Sequence, residues 1–483
     1  MRRLVLGPLL RHVGERTATV WVETDGPGEV SVLDATSPTF TVHGHHYAIV
    51  EIDGLAPGTR TPYEVRLDGE VVWPEPDAGG PAFPPSSIGT LDPGGPLRVI
   101  FGSCRRAPAP EETHGVDALG AYARRLTAAD GDGWPDVLLL IGDQVYADEP
   151  SEPMREFIRA RRDVAEPPYE EVCDFEEYAE LYRLAWTENP AVRWLLSTVP
   201  TLMIFDDHDI RDDWNTSYAW RRQMAAQSWW PRRIVSGLGA YWIYQHLGNL
   251  GPAERDADPV YAAVRAAGRD AGKIVDEFAE RSDAEPTTVR WSYAQDMGRT
   301  RLIVLDSRCG RVLEPDRRDM LGSDDHAWFD ERCVGGVDHL LIVSSLPYLL
   351  RTPSRTSKRG TRRSPPDGGG DGSPGWENGC GRAPTWSIGR RSRSPSITWR
   401  PACWRPYGAS AARRRRASPS CQGTCTTRTS PGSAAGPSRR RCAPRSAIRW
   451  GGACGRRTGS PACGGCACRS GSSRARPVSG RAR

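Results

Sequence analysis

The sequence concentrates titratable side chains in one short segment, Asp206-Asp207-His208-Asp209, directly after the apolar run TLMIF. Three carboxylates this close repel one another, and leaving them unpaired near a core is costly. A bound cation offsets that repulsion, and the imidazole of His208 can then act on a substrate as a general acid or a cationic stabiliser. A solvated acidic loop is the alternative, but the apolar residues on both sides favour a segment fixed to the core.

Two other segments place a metal-ligating side chain at the end of an apolar run. Asp143 follows VLLLI in the segment IGDQVYADE, and Gly142 before it lets the backbone approach whatever Asp143 binds. Cys104 ends VIFGSC beside two arginines, whose charges favour the thiolate, the form that ligates metals. The alternatives are a helix N-cap for Asp143 and a small buried side chain for Cys104.

A fourth segment, LDSRCGR at residues 305–311, supplies arginine rather than a metal ligand. The guanidinium group is suited to bidentate contacts with phosphate oxygens. Arg308 is therefore a candidate catalytic residue that binds a substrate phosphoryl group, with a surface ion pair as the alternative.

These segments belong to a region, from residue 97 onward, in which apolar strands alternate with long helical stretches. The predicted strands are LRVIFGSC, DVLLLIGD, TLMIFDDHD, RLIVLDSR and DHLLIVSSLP. Strands that are apolar along their whole length are buried on both faces, which predicts an α/β core. Because the carboxyl ends of such strands form the ligand crevice of an open sheet, their polar ends predict one shared site.

The preceding residues, 1–95, have a different pattern. Short runs of β-branched and aromatic residues, among them TATVWVET and HHYAIVEI, are separated by Gly, Pro and Asp. This spacing predicts a small antiparallel β-sandwich. The prolines and glycines between residues 81 and 96 are typical of a linker between two domains.

The charge of the chain is divided unevenly. Residues 1–350 contain 35 basic and 57 acidic residues, whereas residues 351–483 contain 29 basic and 3 acidic residues. An acidic body is a poor partner for nucleic acid or an anionic membrane. The sequence contains no run of 18 apolar residues, so no membrane-spanning helix is predicted. Neither the N-terminus nor the four scattered cysteines of the body are typical of a secreted protein. We therefore expect a cytoplasmic location.

Together, the motifs resemble the PhoD-like (alkaline phosphatase D) metallophosphatases. The ordered signature of that family is a strand ending in SC, then GD-x-x-Y, a DDHE-type motif and GD-x-H. The chain has Ser103-Cys104, Gly142-Asp143 with Tyr146, and the acidic segment 206–209 in that order. The resemblance covers residues 1 to about 350. It implies a β-sandwich over residues 1–95 followed by an αββα metallophosphatase-like domain over residues 97–350.

The resemblance also implies roles for individual residues. The implied metal ligands are Cys104, Asp143, Tyr178 and Asp207. Asp143 would bridge two metal ions, and Tyr146 is a rival to Tyr178 as the ligand of iron. His208 matches the histidine that stabilises the transition state or protonates the leaving group. Asp209 is shorter than the Glu common at that position of the motif, a change that we expect to matter little.

The implied activity is hydrolysis of a small phosphomonoester or a phosphodiester, with iron(III) and calcium as cofactors. No specific nucleic acid and no membrane is an expected partner, and no oligomeric state is indicated. The alternative function comes from another class of protein: a non-catalytic binding protein, with the sandwich as interaction module and a degenerate phosphatase core.

Residues 351–483 do not continue the domain. They hold nine cysteines, no histidine and an excess of Arg, Ser, Gly and Pro. One interpretation is a basic, disordered low-complexity arm, and another is an RNA-binding tail. The third is a frameshift near Leu350, because a chain with 62 Arg and 2 Lys indicates a GC-rich gene in which a displaced frame rarely meets a stop codon.

Two tail segments support the frameshift. Suitable codons for residues 351–365, read in a displaced frame, encode DALADLEAWNEAVA, an amphipathic helix. Codons for residues 420–431, read in the same displacement, encode VLSGDVHHAYLA, which contains the missing GD-x-H motif. In the chain as printed, Gly423, Thr424, Cys425 and Thr426 stand at that place. We therefore expect weak metal binding and little phosphatase activity.

Overall fold

A computed structural model describes residues 2–75, 83–128 and 131–346. The predicted basic tail, 351–483, and the first part of the predicted linker lie outside the described residues. None of the helices in the described ranges is both long and apolar enough to cross a bilayer.

The N-terminal region consists of short strands joined by tight turns. Its strands are β1 (Leu4–Val13), β2 (Ala18–Thr24), β3 (Glu29–Val32), β4 (Ala35–Pro38), β5 (Phe40–Val42), β6 (His45–Ile52), β7 (Arg60–Pro62), β8 (Val65–Leu67), β9 (Glu70–Trp73) and β10 (Ser87–Gly89). They form two antiparallel four-stranded sheets, ordered β1-β2-β6-β5 and β4-β3-β8-β9, while β7 pairs with β10. The antiparallel sheets predicted for this region are confirmed.

The first of these sheets is buried on both faces. Val20 and Val50, which are register partners on β2 and β6, join a core shared with Val30 of the second sheet. On the opposite face, Trp21 and Tyr47 belong to the larger core of the α/β region. Side chains alternate between the faces of a strand, so all seven residues of β2 are buried. The sheet therefore packs directly on the α/β region.

Residues Leu4–Val13 form the edge strand β1. One difference from the sequence interpretation concerns this region. The segment interpreted as a linker contains strand β10, whose Ile88 pairs with Thr61. A strand of three residues between proline-rich segments cannot be predicted from the sequence, because so few positions show no periodicity.

The α/β region contains two three-stranded sheets. Its strands are β11 (Val99–Gly102), β12 (Val137–Ile141), β13 (Thr201–Ile204), β14 (Tyr293–Met297), β15 (Thr300–Leu305) and β16 (His339–Ser344). In the first sheet β11, β12 and β13 are parallel, with Phe101 opposite Leu139 and Leu139 opposite Leu202. In the second, β15 pairs antiparallel with β14 and parallel with β16.

Helices connect and cover these sheets. They are α1 (Glu111–His114), α2 (Ala118–Thr127), α3 (Glu152–Arg161), α4 (Phe175–Thr187), α5 (Pro190–Thr198), α6 (Tyr218–Ala225), α7 (Trp230–Tyr241), α8 (Leu247–Asn249), α9 (Pro252–Asp256), α10 (Pro259–Ala266), α11 (Gly272–Ala284) and α12 (Ser323–Arg332). A π-helical turn, Trp242–His246, joins α7 to α8. Short 3-10 turns occur at Gly131–Gly133 and Pro286–Thr288. The predicted α/β fold class is confirmed.

The two sheets share one apolar core, which fixes the position of their strand ends. Leu202 of β13 and Leu302 of β15 both belong to it, and the Tyr293 hydroxyl donates to the Met203 carbonyl at 3.0 Å. On the outer face of the second sheet, Phe329 of α12 joins Ile303 in a separate cluster. The carboxyl ends of β11, β12, β13 and β15 are the places where the predicted site residues follow.

Candidate metal centre

The site begins where β11 and β12 end, because both strands turn sharply there. The Cys104 amide donates to the Gly142 carbonyl at 3.2 Å, which extends the pairing beyond the strands. Gly142, Asp143 and Cys104 all have left-handed backbones, with φ of 88°, 52° and 58°. Such conformations cost roughly 1–3 kcal/mol for residues other than glycine and cluster at functional sites. A Cβ on Gly142 would lie 2.4 Å from the Asp206 Cβ, so only glycine fits.

Three carboxylates converge at this turn. Oxygens of Asp143, Asp206 and Asp207 all lie within 4.8 Å of one another. Burial, reinforced by the charges of Asp206 and Asp207, raises the pKa of Asp143 to about 7. A cation bound among these oxygens would remove the repulsion, and carboxylate oxygens are the ligands that hard cations prefer. Asp206 belongs to the predicted motif but was not singled out as a ligand by the sequence.

The thiol of Cys104 lies beside this cluster. Its sulfur donates to the Ser103 hydroxyl at 3.4 Å. Desolvation of the thiol, followed by the Asp143 charge, raises the thiol pKa to about 12, although the residue as a whole is exposed. The expectation that neighbouring arginines favour the thiolate is wrong. Arg105 pairs with Asp117 at 2.8 Å, and Arg106 is held by Glu149. Both guanidinium groups are neutralised elsewhere, so the thiol would need a metal ion to displace its proton.

The imidazole of His208 is held by partners on both sides. Its Nδ1 lies 2.9 Å from Oδ1 of Asp148, and its ring stacks on Tyr146 with a centroid distance of 4.5 Å. Its backbone amide donates to Asp143 at 3.2 Å. Burial alone lowers the pKa of His208, but hydrogen bonding to Asp148 and the charges of Asp148, Asp143 and Asp207 outweigh burial and raise it to about 10. The imidazole is therefore an imidazolium at neutral pH.

Asp209 points away from the cluster and organises its backbone. One of its oxygens accepts the amides of Asp143 and Asp206, each at 2.9 Å. The other accepts the Gln144 amide at 3.2 Å and the Gln245 side-chain amide at 3.1 Å. With all four donors directed at it, Asp209 is a positioning residue rather than a ligand.

Arg308 also reaches the cluster, from the end of β15. Its guanidinium group contacts Asp206 and lies 3.1 Å from an Asp207 oxygen, and it donates to the Trp214 carbonyl at 3.1 Å. The side chain is almost completely buried. Arg308 therefore supplies positive charge to two of the three carboxylates.

The two candidate tyrosines lie in different surroundings. Tyr178 is fully buried on α4, and its hydroxyl lies 2.7 Å from the position that a Cβ on Gly237 of α7 would take. Tyr146 stacks on His208, and burial followed by the charge of Asp143 raises the pKa of its phenol. The structure thus brings Cys104, Asp143, Asp207, His208 and Arg308 to one site. Tyr146 lies against His208 at this site, whereas Tyr178 is buried between α4 and α7.

Sequence reasoning missed two residues of the site. Asp148 lies in the segment IGDQVYADE, five positions after Asp143, and the need of an imidazole for an acidic partner could have identified it. Gln245 lies in a π-helical turn far along the chain and belongs to no motif. Only the tertiary fold places it beside Asp209.

Two family models match parts of the sequence. A family model described as PhoD-like phosphatase matches residues 101–339, and a domain of unknown function, DUF7800, matches residues 1–88. A solved structure described as the structure of PhoD is similar over 70% of this chain, with 14% sequence identity and a TM-score of 0.46. The chain spans 61% of the length of that protein. No curated protein matches the sequence.

The family match contains the whole cluster, from Cys104 to Arg308. Its description is that of a phosphatase, a class of hydrolase. The chain is therefore a member of the PhoD-like phosphatase family, to which it belongs through residues 101–339.

Proposed function

We propose that this protein is a metal-dependent phosphoester hydrolase that acts on phosphomonoesters or phosphodiesters. The observation that carries the proposal is the convergence of Asp143, Asp206 and Asp207 within 4.8 Å, with the backbone amide of His208 donating to the same Asp143 and its ring held by Asp148. A binding protein with a degenerate core would not need this combination. The intact cluster therefore favours the enzyme over the binding protein.

The cluster fits metal ions of two kinds. The three carboxylates are the oxygen ligands that calcium prefers. The thiol of Cys104 beside Asp143 and the phenol of Tyr146 over His208 are donors that suit iron(III). When bound, such cations polarise phosphoryl oxygens and lower the pKa of a coordinated water. Family resemblance supports the same pair of metals.

The protein's own groups supply the remaining chemistry. His208 holds a proton on each ring nitrogen at neutral pH; Asp148 fixes Nδ1, which leaves the proton on Nε2 for a leaving-group oxygen. Orientation by Asp148 also keeps the ring in one rotamer over Tyr146. Arg308 lies at the edge of the carboxylates, where its guanidinium group can meet a phosphoryl oxygen.

We further propose that the 483-residue chain has weak activity because it lacks a GD-x-H motif after residue 350. The exposure of β16 supports this. Leu341 and Ile342 are 37% and 48% exposed, and no strand pairs with the outer edge of β16 in the described ranges. Phe101 on the edge strand β11 is 57% exposed. Apolar strands of a mostly parallel sheet are normally covered on both faces, so the exposure of these side chains supports the proposal that the printed chain lacks part of the domain.

The test compares two proteins: the 483-residue chain and the product of a gene in which the displaced frame is restored after codon 350. Hydrolysis of p-nitrophenyl phosphate and bis-p-nitrophenyl phosphate is measured with added iron and calcium and with chelator. We expect metal-dependent hydrolysis by the restored protein and little by the printed chain.

Variants separate the site from the scaffold. Asp143→Asn and His208→Asn should each abolish most of the activity of the restored protein, whereas Asp316→Asn, on an exposed loop, should not. Steady hydrolysis that survives chelation or the Asp143→Asn change would overturn the proposed function. Equal activity of the two proteins would overturn the impairment alone.

A further inference from the structure

A buried arginine from the N-terminal sheet reaches the interior of the α/β region. Arg11 lies on β1 and is 1% exposed. Its guanidinium group donates to the carbonyls of Tyr244 at 3.3 Å and Gln245 at 2.6 Å, and to the Asn249 side-chain oxygen at 3.0 Å. All of these acceptors are neutral. A buried cation held by neutral groups is costly, which indicates that its contacts are specific.

The carbonyls that Arg11 contacts belong to an unusual turn. Tyr244 and Gln245 lie in the π-helical turn Trp242–His246, near the C-terminal end of the helical stretch that ends at Asn249. A cation is favourable near that end of a helix, because the helix dipole is negative there. Widened turns of this kind are frequent at functional sites, where they change the direction of a side chain.

The side chain of Gln245 extends from this turn toward the cluster. Its Nε2 donates to Asp209 at 3.1 Å and to the Tyr182 hydroxyl at 2.9 Å. Asp209 in turn accepts the amides of Asp143 and Gln144. A continuous series of contacts therefore leads from Arg11 on the sandwich sheet to the backbone amide of Asp143, whose carboxylate belongs to the cluster.

Asn249 supplies a second connection. Its side chain forms two hydrogen bonds with Met203, donating to the carbonyl at 2.7 Å and accepting the amide at 2.9 Å. Met203 lies on β13, three residues before Asp206. Arg11 thus supports both the strand that carries Asp206 and the side chain that holds Asp209.

We propose that Arg11 is a positioning residue of the metal centre, which acts through the π-helical turn, Gln245 and Asp209. The proposal depends on the proposed function only in treating the cluster as a metal centre. It assigns the N-terminal sheet a part in the site that the family match to residues 101–339 does not include.

A test that needs neither metal nor activity is amide hydrogen exchange of the full 483-residue chain. The readout is a peptide that contains the amides of Asp143 and Gln144, which depend on Asp209. We expect Arg11→Lys to accelerate exchange of these amides about fivefold or more. The change weakens the position of Gln245, which holds Asp209, and Asp209 accepts both amides. Gln245→Met should have the same effect. Arg11→Lys should add little in the Gln245→Met background, since both changes act on one path.

The matched control is Arg255→Lys. Arg255 is also buried and also joins the helices to the N-terminal sheet, through Glu51 at 3.1 Å and Thr19 at 3.0 Å, but it contacts neither Gln245 nor Asn249. It should leave exchange at Asp143 and Gln144 unchanged. Equal acceleration by Arg255→Lys, or the full effect of Arg11→Lys in the Gln245→Met background, would overturn the proposal. If Arg11→Lys does not fold, unchanged exchange in Gln245→Met alone would do so.

Discussion

Nδ1 of His208 lies 2.9 Å from Oδ1 of Asp148, and both side chains are largely buried. The carboxylate fixes the orientation of the ring and stabilises the imidazolium. We predict that Asp148→Asn lowers kcat of the frame-restored protein about 100-fold, within the range that general acid catalysis contributes. Steady-state kinetics with p-nitrophenyl phosphate will check this. Asp163→Asn, on an exposed loop, serves as control, and an unchanged kcat in Asp148→Asn would show that the pair is structural.

Gly142 lies at a position of the site where only glycine fits without strain. Its φ is 88°, and a Cβ there would lie 2.4 Å from the Asp206 Cβ. We predict that Gly142→Ala lowers the free energy of unfolding by about 3 kcal/mol, because the backbone conformation and the clash are both unfavourable. Gly69 has a similar φ of 84° with no neighbour within 4 Å of such a Cβ, so Gly69→Ala should cost only about 1 kcal/mol. Urea denaturation distinguishes the two, and equal losses would contradict the close approach.

His45 makes stability depend on pH away from the site. It joins Glu23 at 2.8 Å to Glu176 of α4 at 2.9 Å. Burial alone lowers the pKa of His45, but hydrogen bonds and charges of the two glutamates outweigh burial and raise it to about 9. Because the folded pKa lies above the unfolded value of 6.5, the stabilisation is complete below pH 6.5 and is lost as the pH rises through about 9.

We predict that His45→Gln loses about 2 kcal/mol of unfolding free energy near pH 6, after allowance for solvent screening, and much less at about pH 10. His339→Gln, at an exposed position of β16, should lose little at either pH. Urea denaturation at the two pH values measures both proteins. A loss that does not depend on pH would indicate a packing role for His45.

Arg308 contacts Asp206 and Asp207, so we expect it to compete with any cation that binds the cluster. We predict that Arg308→Gln destabilises the metal-free protein by about 2–3 kcal/mol, since two buried carboxylates lose their partner. Added calcium should then raise Tm by more than it does in the unchanged protein. Arg317→Gln, at an exposed ion pair, is the control. An equal rise in Tm for Arg308→Gln and the unchanged protein would show that the guanidinium group and the cation occupy separate places.

The sequence predicted the strand ends well because the signal there is local. An apolar strand followed by a polar cluster identifies both Asp143 and the segment 206–209, and parallel strands bring their ends to one edge. The same information does not reveal where long side chains find partners. The arginines beside Cys104 were expected to act on the thiol, but Asp117 and Glu149 bind them. Residues distant in sequence decide such pairings.

Supporting residues are harder still to predict. Arg11 and Gln245 are separated by 234 positions, and neither belongs to a motif. Tyr178 was preferred to Tyr146 by resemblance, although only Tyr146 stacks on His208. A ring on a predicted helix carries no sequence signal that distinguishes core packing from a site.

The most direct test of a shared metal centre is the position of a bound metal. Crystals of the protein soaked in manganese should give an anomalous difference peak among the side chains of Asp143, Asp206 and Asp207, next to the thiol of Cys104. The peak should disappear in Asp143→Asn. A peak elsewhere on the protein, with none at these carboxylates, would contradict the account.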